Sequence, residues 1–168
     1  MDRIDAMISE DQLNILRQGY LKEDMIQLLS AGMPALDART TQYISSIRKA
    51  FYDGSSTTIE PRDRERCLIA ILASRDAGLN LALHIYIGLM EGLTPQEIAD
   101  VIFLSGVYAG VDRISDGLAA ELKTLRVLVN VIVETARPPL QCTASQVVNA
   151  LVAAFAPPLP PPLTSSQK

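Results

Sequence analysis

The stretch from Glu60 to Gly110 constrains the fold most, because it places polar residues inside segments that otherwise have the pattern of buried helices. At about 100° per residue, residues 61–77 form a helix with an apolar inward face, and Glu65 projects from the middle of that face. A carboxylate among apolar side chains is costly to bury unless it is paired. We therefore expect Glu65 to have a specific partner.

His84 is the only histidine in the chain, and it lies on a second helix predicted for residues 80–91. Gly78 is expected to end the preceding helix in the left-handed conformation, so that the two helices lie antiparallel. The second helix is apolar on nearly every side, except for one line of residues: Asn80, His84, Gly88 and Glu91. A hydrogen bond between Glu65 and His84 accounts for both polar placements, and we predict this pair with a pocket beside it. A purely structural ion pair of Glu65 with an arginine stays open, the candidates being Arg62, Arg75 and Arg113.

Helix start signals mark two more segments. Ser9, with Gln12 at the capping-box position, opens a helix that extends to about Ala31 or divides into two shorter helices. Thr94, followed by proline and by Glu97 at the capping-box position, opens another helix. This second signal is the firmest boundary in the sequence.

Apolar periodicity predicts three further helices. They are residues 34–51, a segment with a leucine-rich seam at 118–136, and a short helix that is capped by Thr143 or Ser145 and ends at Phe155. No segment alternates apolar and polar residues as a strand does. The sequence therefore predicts an all-α bundle of about six to eight helices.

The composition favours a single cytoplasmic domain. With 168 residues, 48% of them hydrophobic, 20% charged and a net charge of -4 without any basic run, the chain does not have the pattern of a nucleic-acid-binding protein. The apolar stretches are too short to span a membrane, because charged residues interrupt them: Glu121, Lys123 and Arg126. No signal-peptide pattern opens the sequence. We expect a soluble, cytoplasmic protein with neither a membrane nor a nucleic-acid partner.

The two cysteines argue against a metal or disulfide site. Cys67 and Cys142 lie far apart in the sequence and match no metal or redox spacing. Cys67 lies nearly opposite Glu65 on its helix, so we expect a buried or partly buried thiol rather than a nucleophile. Free thiols are the prediction.

Five pieces of the sequence resemble the carboxymuconolactone decarboxylases and their relatives, the alkylhydroperoxidase D-like proteins. They are the opening R-x-R-E-x-x-L-I-A-I-x-A-S-R at 62–75, His84, the G-L-T-P-Q-E-I turn at 92–98, the Y-A-G triplet at 108–110 and the helix that follows. The separation of 19 positions between Glu65 and His84 is similar to that between the family's glutamate and histidine. The order and spacing of the pieces carry the resemblance, because each motif alone is degenerate.

The resemblance covers roughly residues 33–120 and departs from the family's peroxidase branch at one motif. That branch places a C-x-x-C pair before the histidine, where this chain has Ala77 and Asn80. The thiol peroxidase hypothesis is therefore disfavoured, because such catalysis needs an attacking thiolate and a resolving partner. A third hypothesis is a non-catalytic oligomer that binds a small molecule.

What the resemblance implies is a decarboxylase that needs no metal and no cofactor and acts on an unsaturated lactone acid. His84 would donate a proton to the substrate, and Glu65 would orient the His84 ring. Ala77, Asn80 and Tyr108 are candidates for contacting the substrate. For Tyr108, plain packing at a helix end is the alternative. The resemblance also implies a homo-oligomer, a trimer or a hexamer.

The expected organisation has four parts. They are an N-terminal helical segment at 1–32, a carboxymuconolactone decarboxylase-like core at 33–137, a short C-terminal helix at 138–156 and a disordered proline-rich tail at 157–168.

Overall fold

The computed structural model describes residues 4–20, 42–43, 46, 58–76, 78–135 and 142–155. These residues contain one 3₁₀ turn and six α-helices, and no strand: the turn Ile4–Ala6, α1 Glu10–Gln18, α2 Pro61–Ser74, α3 Gly78–Met90, α4 Pro95–Ala109, α5 Val111–Glu134 and α6 Ala144–Phe155. The all-α prediction is confirmed. Of the predicted helix at 34–51, only residues 42–43 and 46 are described, and they are helical. Residues 21–41 and the tail at 157–168 lie outside the described residues, so the four-part organisation stays a prediction.

The predicted capping boxes fix where α1 and α4 begin. Ser9 accepts the backbone N–H of Gln12, whose side chain accepts the backbone N–H of Ser9. Thr94 and Glu97 exchange the same two bonds, at 3.1 and 2.9 Å. Each box satisfies two N–H groups that have no partner within the helix. Both start signals are confirmed, and α1 ends at Gln18, much earlier than the longer of the two predicted lengths.

The turn between α2 and α3 differs from the prediction. Gly78 does not end α2 in the left-handed conformation: α2 ends at Ser74, Asp76 has the positive φ of 55°, and Gly78 is the first residue of α3. An aspartate tolerates this conformation better than most residues. The Asp76 carboxylate also lies 3.2 Å from Nη1 of Arg113 on α5, an ion pair that links this turn to the neighbouring helix.

Helix α3 lies at the centre of the bundle, because eight of its 13 residues are buried. It packs against α2, α5, α6 and α1, while α2 also packs along α4. The apolar pattern of this helix, with few polar positions, is what a fully surrounded helix requires. The prediction of a buried central helix that carries His84 is confirmed.

Helices α4 and α5 approach each other closely at a corner. A Cβ atom at Gly106 would lie 2.1 Å from Cγ1 of Ile114, so only glycine fits at this crossing. The chain turns between the helices at Gly110, whose φ is 118°. Within the described residues, no helix is long and apolar enough to cross a bilayer.

Candidate functional site

The site centres on the contact between Glu65 of α2 and His84 of α3. Nδ1 of His84 lies 2.8 Å from Oε2 of Glu65, so the predicted hydrogen bond is present. A carboxylate can only accept hydrogen bonds, so the ring donates its Nδ1 proton to Glu65. The other ring nitrogen, Nε2, is then not used in this contact. Glu65 is 0% exposed, whereas the His84 side chain is 17% exposed. The pair therefore has a buried end and an end that solvent or a small molecule can reach.

Gly88 allows the two helices to meet at this level. It lies one turn after His84 on α3, and a Cβ atom there would come within 3.0 Å of Leu93, 3.2 Å of Ile69 and 3.7 Å of the Cβ of Glu65. The missing side chain lets α2 lie close against α3. The glycine in the line of residues around His84 thus has a packing role beside the pair.

Arg64 is a second partner of Glu65, and sequence reasoning missed it. Nε of Arg64 lies 3.3 Å from Oε1 of Glu65, and the arginine is only 2% exposed. The sequence analysis left open an ion pair of Glu65 with one of three other arginines. None of them is its partner in the structure: Arg62 binds Glu97, Arg113 binds Asp76, and Arg75 is exposed. Arg64 lies four residues before Leu68 and eight before Leu72, so helical spacing could have placed it on the inward face of α2.

An outer network of charges ties α2 to the start of α4. Glu97 accepts hydrogen bonds from Arg62 and from Arg66, the latter at 2.8 Å, while Arg66 also binds Asp63 at 2.6 Å. The backbone N–H of Thr94, together with the two arginines, lowers the pKa of Glu97 to about 2 against the opposing effect of burial. These contacts hold the first turn of α2, where Arg64 and Glu65 lie, against α4.

The profile of the carboxymuconolactone decarboxylase family matches residues 34–121, which is just over half of the chain. The chain belongs to this family. The match contains all the residues of the site, including Arg64, Glu65 and His84. Comparisons with curated proteins and with solved structures gave no match.

The other residues singled out from the family resemblance are distributed differently. Asn80 is exposed one turn before His84, on the same line of α3. Ala77 lies outside the described residues. Tyr108 is the next-to-last residue of α4 and is 88% exposed, so it does not pack against the described helices as the alternative reading had it. The structure thus brings Glu65 and His84 together and points Tyr108 toward solvent; the catalytic and substrate-binding roles stay predictions.

The two cysteines of this family member have separate environments. Cys67 is exposed on α2, so the prediction of a buried or partly buried thiol is wrong. Cys142 is buried, and its Sγ lies 2.7 Å from Oγ1 of Thr135. Both are free thiols, as predicted. Among the side chains that the structure describes, no three histidine, cysteine, aspartate or glutamate residues come together as a metal-binding group.

An open groove of about 390 Å³ lies between α5 and α6, away from the Glu65–His84 pair. Its lining is mostly apolar, with Asn130 and Glu134 as the polar members: Val127, Asn130, Val131, Glu134, Ala150, Ala153 and Ala154. This groove is not the pocket predicted beside the pair, and that pocket stays a prediction.

Proposed function

We propose that this member of the carboxymuconolactone decarboxylase family is a lyase or related isomerase that acts on a small unsaturated lactone acid or keto acid and uses Glu65 and His84 for proton transfer. The observation that carries the proposal is the 2.8 Å contact between a fully buried carboxylate and a partly exposed imidazole. In line with the family resemblance, the reaction needs no metal and no organic cofactor.

The reaction requires the protein to stabilise negative charge on an oxygen and to protonate a carbon. When carbon dioxide leaves, the electron pair of the broken carbon–carbon bond moves into the conjugated carbonyl, so negative charge builds on the carbonyl oxygen and a carbon must then take up a proton. Nε2 of His84 binds a proton and delivers it to that carbon, while Glu65 holds the ring and stabilises the imidazolium. Asn80 and Tyr108 are candidates for contacting the substrate.

Assays of carbon dioxide release from small lactone acids and β-keto acids test this function. We expect turnover of at least one such acid, and a loss of about 10²-fold or more in His84→Gln, because the proton donor is removed. Glu134→Gln is the control, since it changes an exposed glutamate of α5 away from the Glu65–His84 pair. Undiminished turnover per folded molecule in His84→Gln would contradict the proposed role of the pair.

We also propose that the protein is a homo-oligomer that uses an exposed apolar surface on α4, here called the α4 face. The α4 face has four side chains on one side of the helix and one at the start of α5, each at least 56% exposed: Phe103, Leu104, Val107, Tyr108 and Val111. Contiguous apolar patches of this kind mark interaction surfaces. The expected assembly is a trimer or a hexamer, as in the family resemblance.

Light scattering at micromolar concentration checks this assembly. Wild type is expected to have the mass of an oligomer, and Val107→Glu to shift it toward the monomer, because a charge at the centre of the α4 face must be desolvated in the interface. Val133→Glu is the matched control, since Val133 is 64% exposed on α5, outside the α4 face. A wild-type monomer would exclude the assembly.

A further inference from the structure

Arg64 is a buried cation at the site, and the proposed reaction gives it no task. It is 2% exposed and lies one residue before Glu65 on α2. The two oxygens of Glu65 face different partners: Oε1 is 3.3 Å from Nε of Arg64, and Oε2 is 2.8 Å from Nδ1 of His84. The three side chains therefore form a continuous chain from the buried end of the site to its exposed end.

We propose that Arg64 is a positioning residue that acts by its charge: it balances the Glu65 carboxylate from one side, so that this carboxylate accepts the Nδ1 proton of His84 and Nε2 remains the proton-exchanging atom. The proposal rests on the proposed function only where it assigns proton exchange to His84. The contacts that carry it involve no substrate.

The physical argument compares the site with and without the guanidinium. A buried carboxylate that loses its permanent cation has two ways to avoid an uncompensated charge. It can take up a proton and then donate its O–H to Nδ1, or it can hold its charge against a doubly protonated imidazole. Both outcomes remove the neutral ring with its proton on Nδ1. Arg64 makes this form available because its own charge is permanent.

Two substitutions separate the charge of Arg64 from its contact. In Arg64→Gln, the amide nitrogen lies the same number of bonds from the backbone as Nε, so the variant can keep the contact with Oε1 but not the charge. In Arg64→Lys, the charge is kept on a flexible chain that can reach the same carboxylate. If Arg64 acted only by packing, the imidazole spectra of the two variants would not differ according to their charge.

The readout is the nitrogen-15 NMR spectrum of the imidazole at neutral pH. His84 is the only histidine, so both ring-nitrogen signals come from this residue, and their couplings to the two carbon-bound ring protons distinguish Nδ1 from Nε2. We expect the neutral form with the proton on Nδ1 to predominate in wild type and in Arg64→Lys, and its population to fall by at least about threefold in Arg64→Gln.

A wild-type spectrum in Arg64→Gln would overturn the proposal. Loss of the Nδ1–H form in folded Arg64→Lys would overturn it as well. The Arg64→Lys variant therefore keeps the test decisive if Arg64→Gln does not fold. The failure of the proposed function has a different signature. It would leave these spectra as expected while no acid releases carbon dioxide, whereas a wrong role for Arg64 would leave carbon dioxide release intact in Arg64→Gln.

Discussion

Replacing Glu121 with leucine is expected to stabilise the fold by about 3 to 5 kcal/mol at pH 8. Glu121 lies on α5, is 0% exposed, and has no hydrogen-bond partner for either carboxylate oxygen among the described residues. Burial raises its pKa from 4.5 to about 8, with the negative charges of Asp100 and Asp5 adding to the effect. A leucine fits a similar volume and needs neither a proton nor a partner.

The sign of the pH dependence follows from this raised pKa. Below pH 4.5, Glu121 is protonated in the folded and the unfolded chain alike. Between 4.5 and about 8, the unfolded chain gives up the proton while the folded chain keeps it, so stability falls as pH rises. Above about 8 the full cost is present. Wild type should therefore be less stable at pH 8 than at pH 5. The side chain in Glu121→Gln cannot titrate, so this variant should lack the part of the pH-dependent loss of stability that Glu121 causes.

Urea unfolding at pH 5 and pH 8, at one protomer concentration, measures both effects. Glu134→Gln is the matched control, because Glu134 is an exposed carboxylate on the same helix. Its pH dependence should equal that of wild type. If Glu121→Gln lost as much stability as wild type between the two pH values, the carboxyl group of Glu121 would not be the source.

Glu65→Gln is expected to destabilise the fold by about 3 to 5 kcal/mol, because it removes the negative charge from the buried contacts that Glu65 makes with Arg64 and His84. The two side chains are 2% and 0% exposed, so water cannot replace the lost charge. The amide is also a poorer acceptor for Nδ1 of His84. Chemical unfolding at pH 7 measures the loss.

Two further variants give this prediction its controls. Glu134→Gln removes an exposed carboxylate on α5, so it should cost less than about 1 kcal/mol. The double variant Arg64→Met/Glu65→Leu should cost less than the sum of the two single variants, because the contact between the two side chains can be lost only once. A Glu65→Gln protein within about 0.5 kcal/mol of wild type would refute the buried ion pair.

The sequence predicts the parts of this fold that short-range rules govern. The capping boxes at Ser9 and Thr94 and the pairing of Glu65 with His84 follow from spacing along one helix or between two antiparallel helices. Gly78 shows where such rules stop, since Asp76 takes the left-handed conformation and gains an ion pair with Arg113 from another helix. That contact is not visible from local sequence.

The burial of charged residues depends on long-range packing. In the sequence analysis, Glu121 served only to show that charged residues interrupt the apolar stretches. It nevertheless lies three residues after Leu118 and four before Leu125, on the side of the seam that faces the bundle. The same helical spacing could have placed it in the core. Arg64 has the same kind of signal, because it lies four residues before Leu68 and eight before Leu72. Cys67 is exposed on nearly the opposite side of α2 from Glu65.

The central claim is that Glu65 holds His84 so that Nε2 is the atom that exchanges protons. The nitrogen-15 spectrum of the single histidine in the wild-type protein tests it most directly. The account predicts that the neutral ring carries its proton on Nδ1, and that Glu65→Leu reverses this preference. A wild-type ring that carries its proton on Nε2 would contradict the claim.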